Sequence, residues 1–371
     1  MRVLLWGELF WPYIGGAELF AANLMLSLRE RGYEFAVVTS HDSLDLADEA
    51  RYQGIPVYRF PFRAVLAPEG IEQLMALRRR VARLVRELAP QLIHLNGVGP
   101  SAFFCLSTAQ TVATPLLARL NRDLPPAAPR PAAGTLLEQV LRRADWAAAV
   151  SAVTLEQSRR LVPDIRARSS VIYNGIEASA EPPTTPPHDP PRILCLGRLV
   201  RDKGFDLAID AFAAIVRRLP RARITVAGDG PERAALEEQA AALGMAATVE
   251  FSGWVAPDDV PRLMSSATLV VIPSRSEGLP AVAIQAAALG RPVVATRSGG
   301  LPEVVQHEQT GLLVDSDSRA LSDAITVLLE RPEMAAQMGM AAWRRAREVF
   351  SHERCIDAYD ALYRQLAPPR R

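Results

Sequence analysis

Lysine is almost absent from this chain: of its 42 lysine and arginine residues, only Lys203 is a lysine. A sequence that meets its need for positive charge with arginine gives weight to the place where it does not. A compact ammonium on a flexible stem does something that a planar guanidinium fork does not; codon accident is the bland alternative, and the location of Lys203 decides between them below. Cysteine is scarce too. Cys105, Cys195 and Cys355 lie far apart in apolar or helical contexts, which supplies neither a metal spacing nor a disulfide framework and suits free thiols of a reducing compartment. An excess of either charge is missing, with a formal net charge of +1. The global balance therefore gives no reason to expect nucleic acid as a partner, and recognition of an acidic ligand has to be local. Long hydrophobic runs are missing as well. The apolar start, Val3 to Trp6, breaks at Gly7; it is too short for a signal peptide and far too short to span a bilayer, so the expectation is a cytoplasmic protein.

What the chain does have is length and repetition. Its 371 residues, 49% of them hydrophobic, exceed one comfortable core and predict two domains. Two segments open alike: Arg2 to Phe10 reads RVLLWGELF and Arg192 to Val200 reads RILCLGRLV. Each is a short apolar run ending at glycine, as a buried parallel strand should be. Each leads into a helical stretch (Leu19 to Leu28; Phe205 to Val216) and then a second strand (Phe35 to Thr39; Arg223 to Ala227). Strand, glycine turn, helix, strand opens a βαβ unit, and the chain does it twice. The expected fold class is α/β, with two Rossmann-like doubly wound domains. Between them, residues 181–191 hold six prolines in eleven residues, which predicts a semi-rigid linker. The expected division is residues 1–180, the linker, residues 192–350, and a terminal helix over 351–371 that packs back on the first domain.

Open α/β sheets bind ligands beyond the carboxyl ends of their strands, where loops and helix N-termini offer unpaired N–H groups. Three loops of the second half sit there: Gly197 to Gly204, Gly228 to Glu232, and Pro273 to Pro280, the last followed by an alanine-rich helix. Arg198 and Lys203 can converge on one phosphate pair, the first as a fork and the second as a point charge. Gly228 and Gly230 let the backbone turn tightly. Glu277 projects a carboxylate able to accept from sugar hydroxyls. Taken singly, a glycine after a strand is a turn and an Arg–Glu pair is a surface salt bridge worth little. Three such loops in register in one domain point to a nucleotide or sugar-phosphate site.

These stretches, with Gly15-Gly-Ala-Glu18, Gly290 to Thr296, Gly299-Gly300, Ala149-Val-Ser151 and Tyr173-Asn-Gly175, resemble glycosyltransferase family 4, whose fold, GT-B, faces two such domains across a cleft. The resemblance covers essentially the whole chain. It implies a retaining transfer from a nucleoside diphosphate sugar to an acceptor glycan, lipid or small molecule, with no metal and no other cofactor. It implies that Arg198 and Lys203 hold the diphosphate, that Glu277 contacts the donor sugar, and that Gly15, Gly16, Gly228, Gly230, Val255, Gly278, Leu279, Pro280 and Gln285 bind the donor. Glu18, His94 and Asn121 fall on the acceptor side, with His94 expected at a strand-end turn, where it lines the cleft or is structural. Two positions depart from the family pattern. Gln285 stands where a second glutamate is usual, and Asn121 lies near where many members have histidine. These keep open a second reading, a degenerate donor-binding protein that partners or regulates another enzyme. A nucleotide-sugar epimerase of the same fold has too little support in acidic and histidine residues.

The stretch Met75 to Leu88 carries Arg78, Arg79, Arg80, Arg83 and Arg86. As a helix it offers either a basic face for an anionic membrane surface, and so a weak peripheral contact at the inner membrane, or a plain solvated face.

Overall fold

The computed structural model describes residues 1–41, 44–66, 71–109, 112–121 and 134–368. The chain forms two compact units: Met1–Tyr173 together with the segment from Cys355 onward, and Asn174–Arg354.

The first unit is an eight-stranded sheet with order β3-β4-β2-β1-β5-β6-β7-β8. Its strands are β1 (Arg2–Gly7), β2 (Glu34–Ser40), β3 (Glu49–Tyr52), β4 (Ile55–Phe60), β5 (Leu92–Asn96), β6 (Leu116–Leu120), β7 (Trp146–Ala149) and β8 (Ser169–Val171). All pair in parallel except β3, which folds back on β4 through Gln53 and Gly54, both at positive φ. The central strands are covered on both faces, which is why they read as unbroken apolar runs rather than alternating ones. The helices are α1 (Gly16–Glu30), α2 (Ile71–Leu88), α3 (Ser101–Ala109), α4 (Leu136–Arg143) and α5 (Ala152–Leu161). Side chains fix where two of them begin. Thr135 and Glu138 form a reciprocal capping box on α4, and Ser151 accepts from the Thr154 N–H of α5 at 3.1 Å, each satisfying donors that the helix itself cannot.

The second unit has six parallel strands in the order β11-β10-β9-β12-β13-β14. They are β9 (Arg192–Leu196), β10 (Arg223–Ala227), β11 (Val249–Gly253), β12 (Leu269–Ile272), β13 (Val293–Thr296) and β14 (Gly311–Val314). The helices are α6 (Phe205–Arg218), α7 (Arg233–Ala242), α8 (Val260–Ser265), α9 (Ala281–Ala288), α10 (Leu301–Val304), α11 (Ser318–Glu330) and α12 (Pro332–Val349). The order reverses at β9, whose two neighbours leave in opposite directions, the switch point at which such sheets open a crevice.

The proline-rich stretch 181–191 corrects the expectation of a linker: the division falls at Tyr173 and Asn174, and the stretch is part of the second unit. Buried Arg291 donates to the Thr184 carbonyl at 2.7 Å, the Thr268 hydroxyl bonds the Pro187 carbonyl, and Pro183 packs against Gly290. Proline lacks an N–H to satisfy, so an extended run of it can lie on a surface and offer only its carbonyls.

The final helix, α13 (His352–Leu366), joins the first unit from Cys355. Tyr359, Leu362 and Tyr363 enter the same core as Val3, Leu5, Phe35 and Leu92. Around that seam Arg31 pairs with Asp357 at 2.7 Å, and the Tyr33 hydroxyl bonds Asp360.

Candidate functional site

Glycines lock the three loops of the second unit together. A Cβ on Gly228 would lie 1.9 Å from the Gly197 carbonyl oxygen, and one on Gly230 would lie 2.4 Å from that of Leu199. The Gly197 N–H donates to Ala227 and the Leu199 N–H to Asp229, at 3.0 and 2.8 Å. The loop after β9 and the loop after β10 therefore touch backbone to backbone. The loop after β12 closes on the same place. A Cβ on Gly204, at φ +66°, would meet the Pro273 carbonyl oxygen at 2.1 Å, and the Arg275 N–H donates to Asp202 at 2.7 Å. No side chain larger than hydrogen fits these positions without moving backbone.

Charged groups converge where the loops meet. The Lys203 ammonium bonds Glu277 Oε1 at 2.5 Å, and the Ser274 hydroxyl donates to the same oxygen at 2.7 Å. The Glu277 side chain is 9% exposed and that of Lys203 29%, so the ammonium is the more reachable partner. The Thr296 and Ser298 hydroxyls both donate to the Ser274 carbonyl, and the Gly300 N–H donates to that of Glu277 at 3.1 Å. Ser274 thus holds the carboxylate directly, while Thr296, Ser298 and Gly300 hold the backbone of the loop that carries it. Arg275 makes a fork on Asp206 at 2.8 and 2.6 Å and donates to the Arg201 carbonyl at 3.0 Å. The Asp206 carboxyl is held below its usual pKa, first by the Arg275 hydrogen bond. Arg275 and Asp206 tie the lysine loop to the glutamate loop, and sequence reading did not single them out. Arg275 lies inside the Pro273 to Pro280 loop and Asp206 three residues past Lys203, but only their contact shows that they act together.

Of the other residues expected to bind the donor, Arg198 and Gly278 to Pro280 belong to these same loops. The Arg198 guanidinium is exposed and bonds no protein group among the described residues. Gly278, Leu279 and Pro280 are buried and lead into α9, which has no side-chain cap. Among the described residues the Ala281 and Val282 N–H groups have no acceptor, so that helix end is open to an anion. Gln285 is half-buried on α9, and Val255 is half-buried next to Trp254 after β11.

In the first unit, Gly15 is the extended residue before α1, and the Glu18 carboxylate folds back over it: a Cβ there would lie 2.4 Å from Oε2. Gly16 has open space in that direction. Asn121 follows β6 and covers Gly97, where a Cβ would meet its side chain at 2.8 Å. The expected placement of His94 needs correction. It stands in the middle of β5, fully buried, not in a strand-end turn. Its Nδ1 is 2.6 Å from the Tyr363 hydroxyl, and its ring stacks on Tyr359 with centroids 5.5 Å apart. Burial first, and then the Arg119 charge, lower its pKa to about 3. It is a neutral core histidine. The segment 123–134 that follows Asn121 lies outside the described residues except for Gly134.

Known proteins share this plan. The family model described as Glycosyltransferase Family 4 matches residues 14–180, and the one described as Glycosyl transferases group 1 matches residues 178–345. A GDP-mannose-dependent alpha-(1-6)-phosphatidylinositol monomannoside mannosyltransferase of Mycobacterium tuberculosis is 40% identical over 159 residues, 41% of each chain. That match spans well under half of either protein. An uncharacterized glycosyltransferase of Methanocaldococcus jannaschii is 26% identical over 99% of both chains. Among solved structures, HepE of Anabaena, in complex with UDP, superposes with a TM-score of 0.79 at 24% identity, covering 98% of this chain and 100% of that one. Matched in both halves by the two models and folded as that structure is, the chain belongs to glycosyltransferase family 4 and has the GT-B fold.

Proposed function

We propose that this glycosyltransferase moves a sugar from a nucleoside diphosphate sugar to an acceptor, with retention of configuration and without a metal. One observation carries the reading: the only lysine ammonium of the chain lies on a nearly buried carboxylate, where three glycine-locked loops meet at the carboxyl edge of the second sheet. Breaking the glycosidic C–O bond places negative charge on the departing diphosphate. Cations and helix N–H groups that bind this charge more strongly than the intact donor lower the barrier. Lys203 and Arg198 supply the cations and the open end of α9 the N–H groups. When the donor arrives, Lys203 exchanges Glu277 for a phosphate oxygen, which frees that carboxylate to accept from a sugar hydroxyl. Ser274 keeps it oriented meanwhile. Gln285 meets the ribose hydroxyls as a neutral partner, contributing about 1 kcal/mol where a charged one contributes roughly 1.5–3. Attack from the face the diphosphate leaves retains configuration.

The mannosyltransferase relative is GDP-mannose-dependent and the Anabaena structure holds UDP, so both bases enter the test. Calorimetric titration with UDP and GDP fixes the base. Turnover of UDP-, GDP- and ADP-sugars, with the product anomer read by NMR and the assay repeated in EDTA, tests the reaction. Retained configuration and EDTA-resistant transfer are expected. An inverted product or loss of activity in EDTA overturns the corresponding part. Tight nucleotide binding with no turnover across a wide acceptor panel would instead make the chain a donor-binding partner of another enzyme. On the acceptor side the reading includes contact of the first unit with a membrane surface.

A further inference from the structure

Ten large apolar residues are exposed among the described residues, and seven of them cluster: Trp11, Ile14, Leu19, Leu44, Leu66, Ile71 and Met75. The first three follow β1, Leu44 follows β2, and the last three follow β4. Since β4, β2 and β1 are adjacent, all seven lie in the loops and helix starts beyond one stretch of the carboxyl edge of the sheet. Scattered exposed apolar residues need no explanation, but a cluster on one edge does.

The edge is also braced. Arg59 is 2% exposed, and its guanidinium donates to the Trp11 carbonyl at 2.7 Å and the Ala47 carbonyl at 3.1 Å. Tyr13 accepts from the Leu44 N–H at 3.1 Å, and the Trp11 ring rests on Tyr52. A buried arginine spent on two loop carbonyls holds exposed apolar side chains in place. Helix α2 continues the pattern. Residues 71, 75, 79, 83 and 86 fall on one stripe at helical spacing, opposite buried Leu77, Val81 and Val85. That stripe begins with Ile71 and Met75 at the sheet edge and continues with Arg79, Arg83 and Arg86, all exposed. Arg83 and Arg86 have no ion-pair partner among the described residues.

We infer that this edge and the stripe of α2 together dock on an anionic lipid bilayer, the apolar tips entering the interface while the arginines meet the headgroups. Tryptophan and aliphatic side chains beside arginines suit that boundary. The apolar residues are spread along an edge, which fits an extended apolar surface rather than one small molecule. That the bilayer presents a lipid-linked acceptor rests on the transferase reading above; the docking does not.

The test is flotation of the full chain with vesicles of phosphatidylcholine alone and of an equimolar mixture with phosphatidylglycerol. Binding to the mixture and not to phosphatidylcholine alone is expected. Arg79→Gln, Arg83→Gln and Arg86→Gln combined should lower partitioning roughly a hundredfold at low salt. Trp11→Ser, Ile71→Ser and Met75→Ser combined should lower it roughly tenfold or more, at high salt as well. Both variants should titrate nucleotide as the parent does, which separates loss of docking from loss of fold and from failure of the donor reading. No binding of the parent chain to the mixture overturns the inference, as does a serine variant that binds like the parent.

Discussion

Gly228 and Gly32 both occupy positive φ, at 135° and 86°, yet they answer to different constraints. Around Gly32 an added Cβ meets nothing within 4 Å, whereas at Gly228 it would meet the Gly197 carbonyl oxygen at 1.9 Å. Gly32→Ala should therefore cost only the conformational strain of about 1–2 kcal/mol. Gly228→Ala must also push two loops apart, and should lose several kcal/mol or the nucleotide site itself. Thermal melts of the two variants with and without nucleotide compare them directly; equal losses would mean that close approach is unimportant. Lys203→Ala poses the complementary question. The phosphate loses its point charge, so nucleotide affinity should fall by at least about tenfold, the worth of a charge-assisted bond. Ser274 still bonds Glu277, and the fold should persist by circular dichroism. A titration curve unchanged from the parent's would remove Lys203 from the site. Both residues were legible in the sequence as types and positions. The carbonyls that press on Gly228 were not, because close approach belongs to a pair of loops far apart in the chain.

Helix α13 is where an element meets its consequences. Burial holds the Tyr363 hydroxyl well above its usual pKa, so it stays protonated where it hydrogen-bonds His94 Nδ1. Tyr363→Phe leaves that buried nitrogen without its partner and should cost roughly 1–3 kcal/mol in urea unfolding, while nucleotide binding by the second unit stays as it was. His94 also makes stability depend on pH. Its folded pKa of about 3 lies below the ordinary imidazole value of 6.5, so the unfolded chain takes up the proton first. Its contribution is complete above about pH 6.5 and is lost as the pH falls toward 3. His94→Gln, which cannot titrate, should flatten that decline; an unchanged slope would assign it to other groups. The apolar runs of β1, β2, β9 and β10 and the helical stretches of α2, α6 and α13 were readable because burial imposes them. β7 was not. Its sequence, Trp146 to Ala149, is mostly alanine, which carries little strand preference. The pair of strands β3 and β4 escaped notice too, since β3 is a half-exposed edge with no apolar run. His94 misled because one polar residue in an apolar strand looks like the strand's end until the tyrosines that cover it, some 270 positions later, are in place.

For the whole molecule, the duplicated strand–glycine–helix opening correctly implied two parallel α/β units, but not where one ends. Proline content suggested a linker at 181–191, whereas packing draws the boundary at Tyr173 and again at Arg354. Composition marks stiffness; only contacts mark membership. The scarcity of lysine at this scale has a practical side. Lys203 is the only side-chain amine in the chain, and its side chain is partly accessible. An amine-acylating reagent therefore has one internal target, besides the α-amino group, and intact mass spectrometry reads its modification as a single increment. A bound nucleoside diphosphate should slow that increment, whereas free ribose should not. Equal rates with and without nucleotide would place the ligand elsewhere. A chain that uses arginine everywhere else has thereby left its proposed ligand site chemically addressable without any engineered tag.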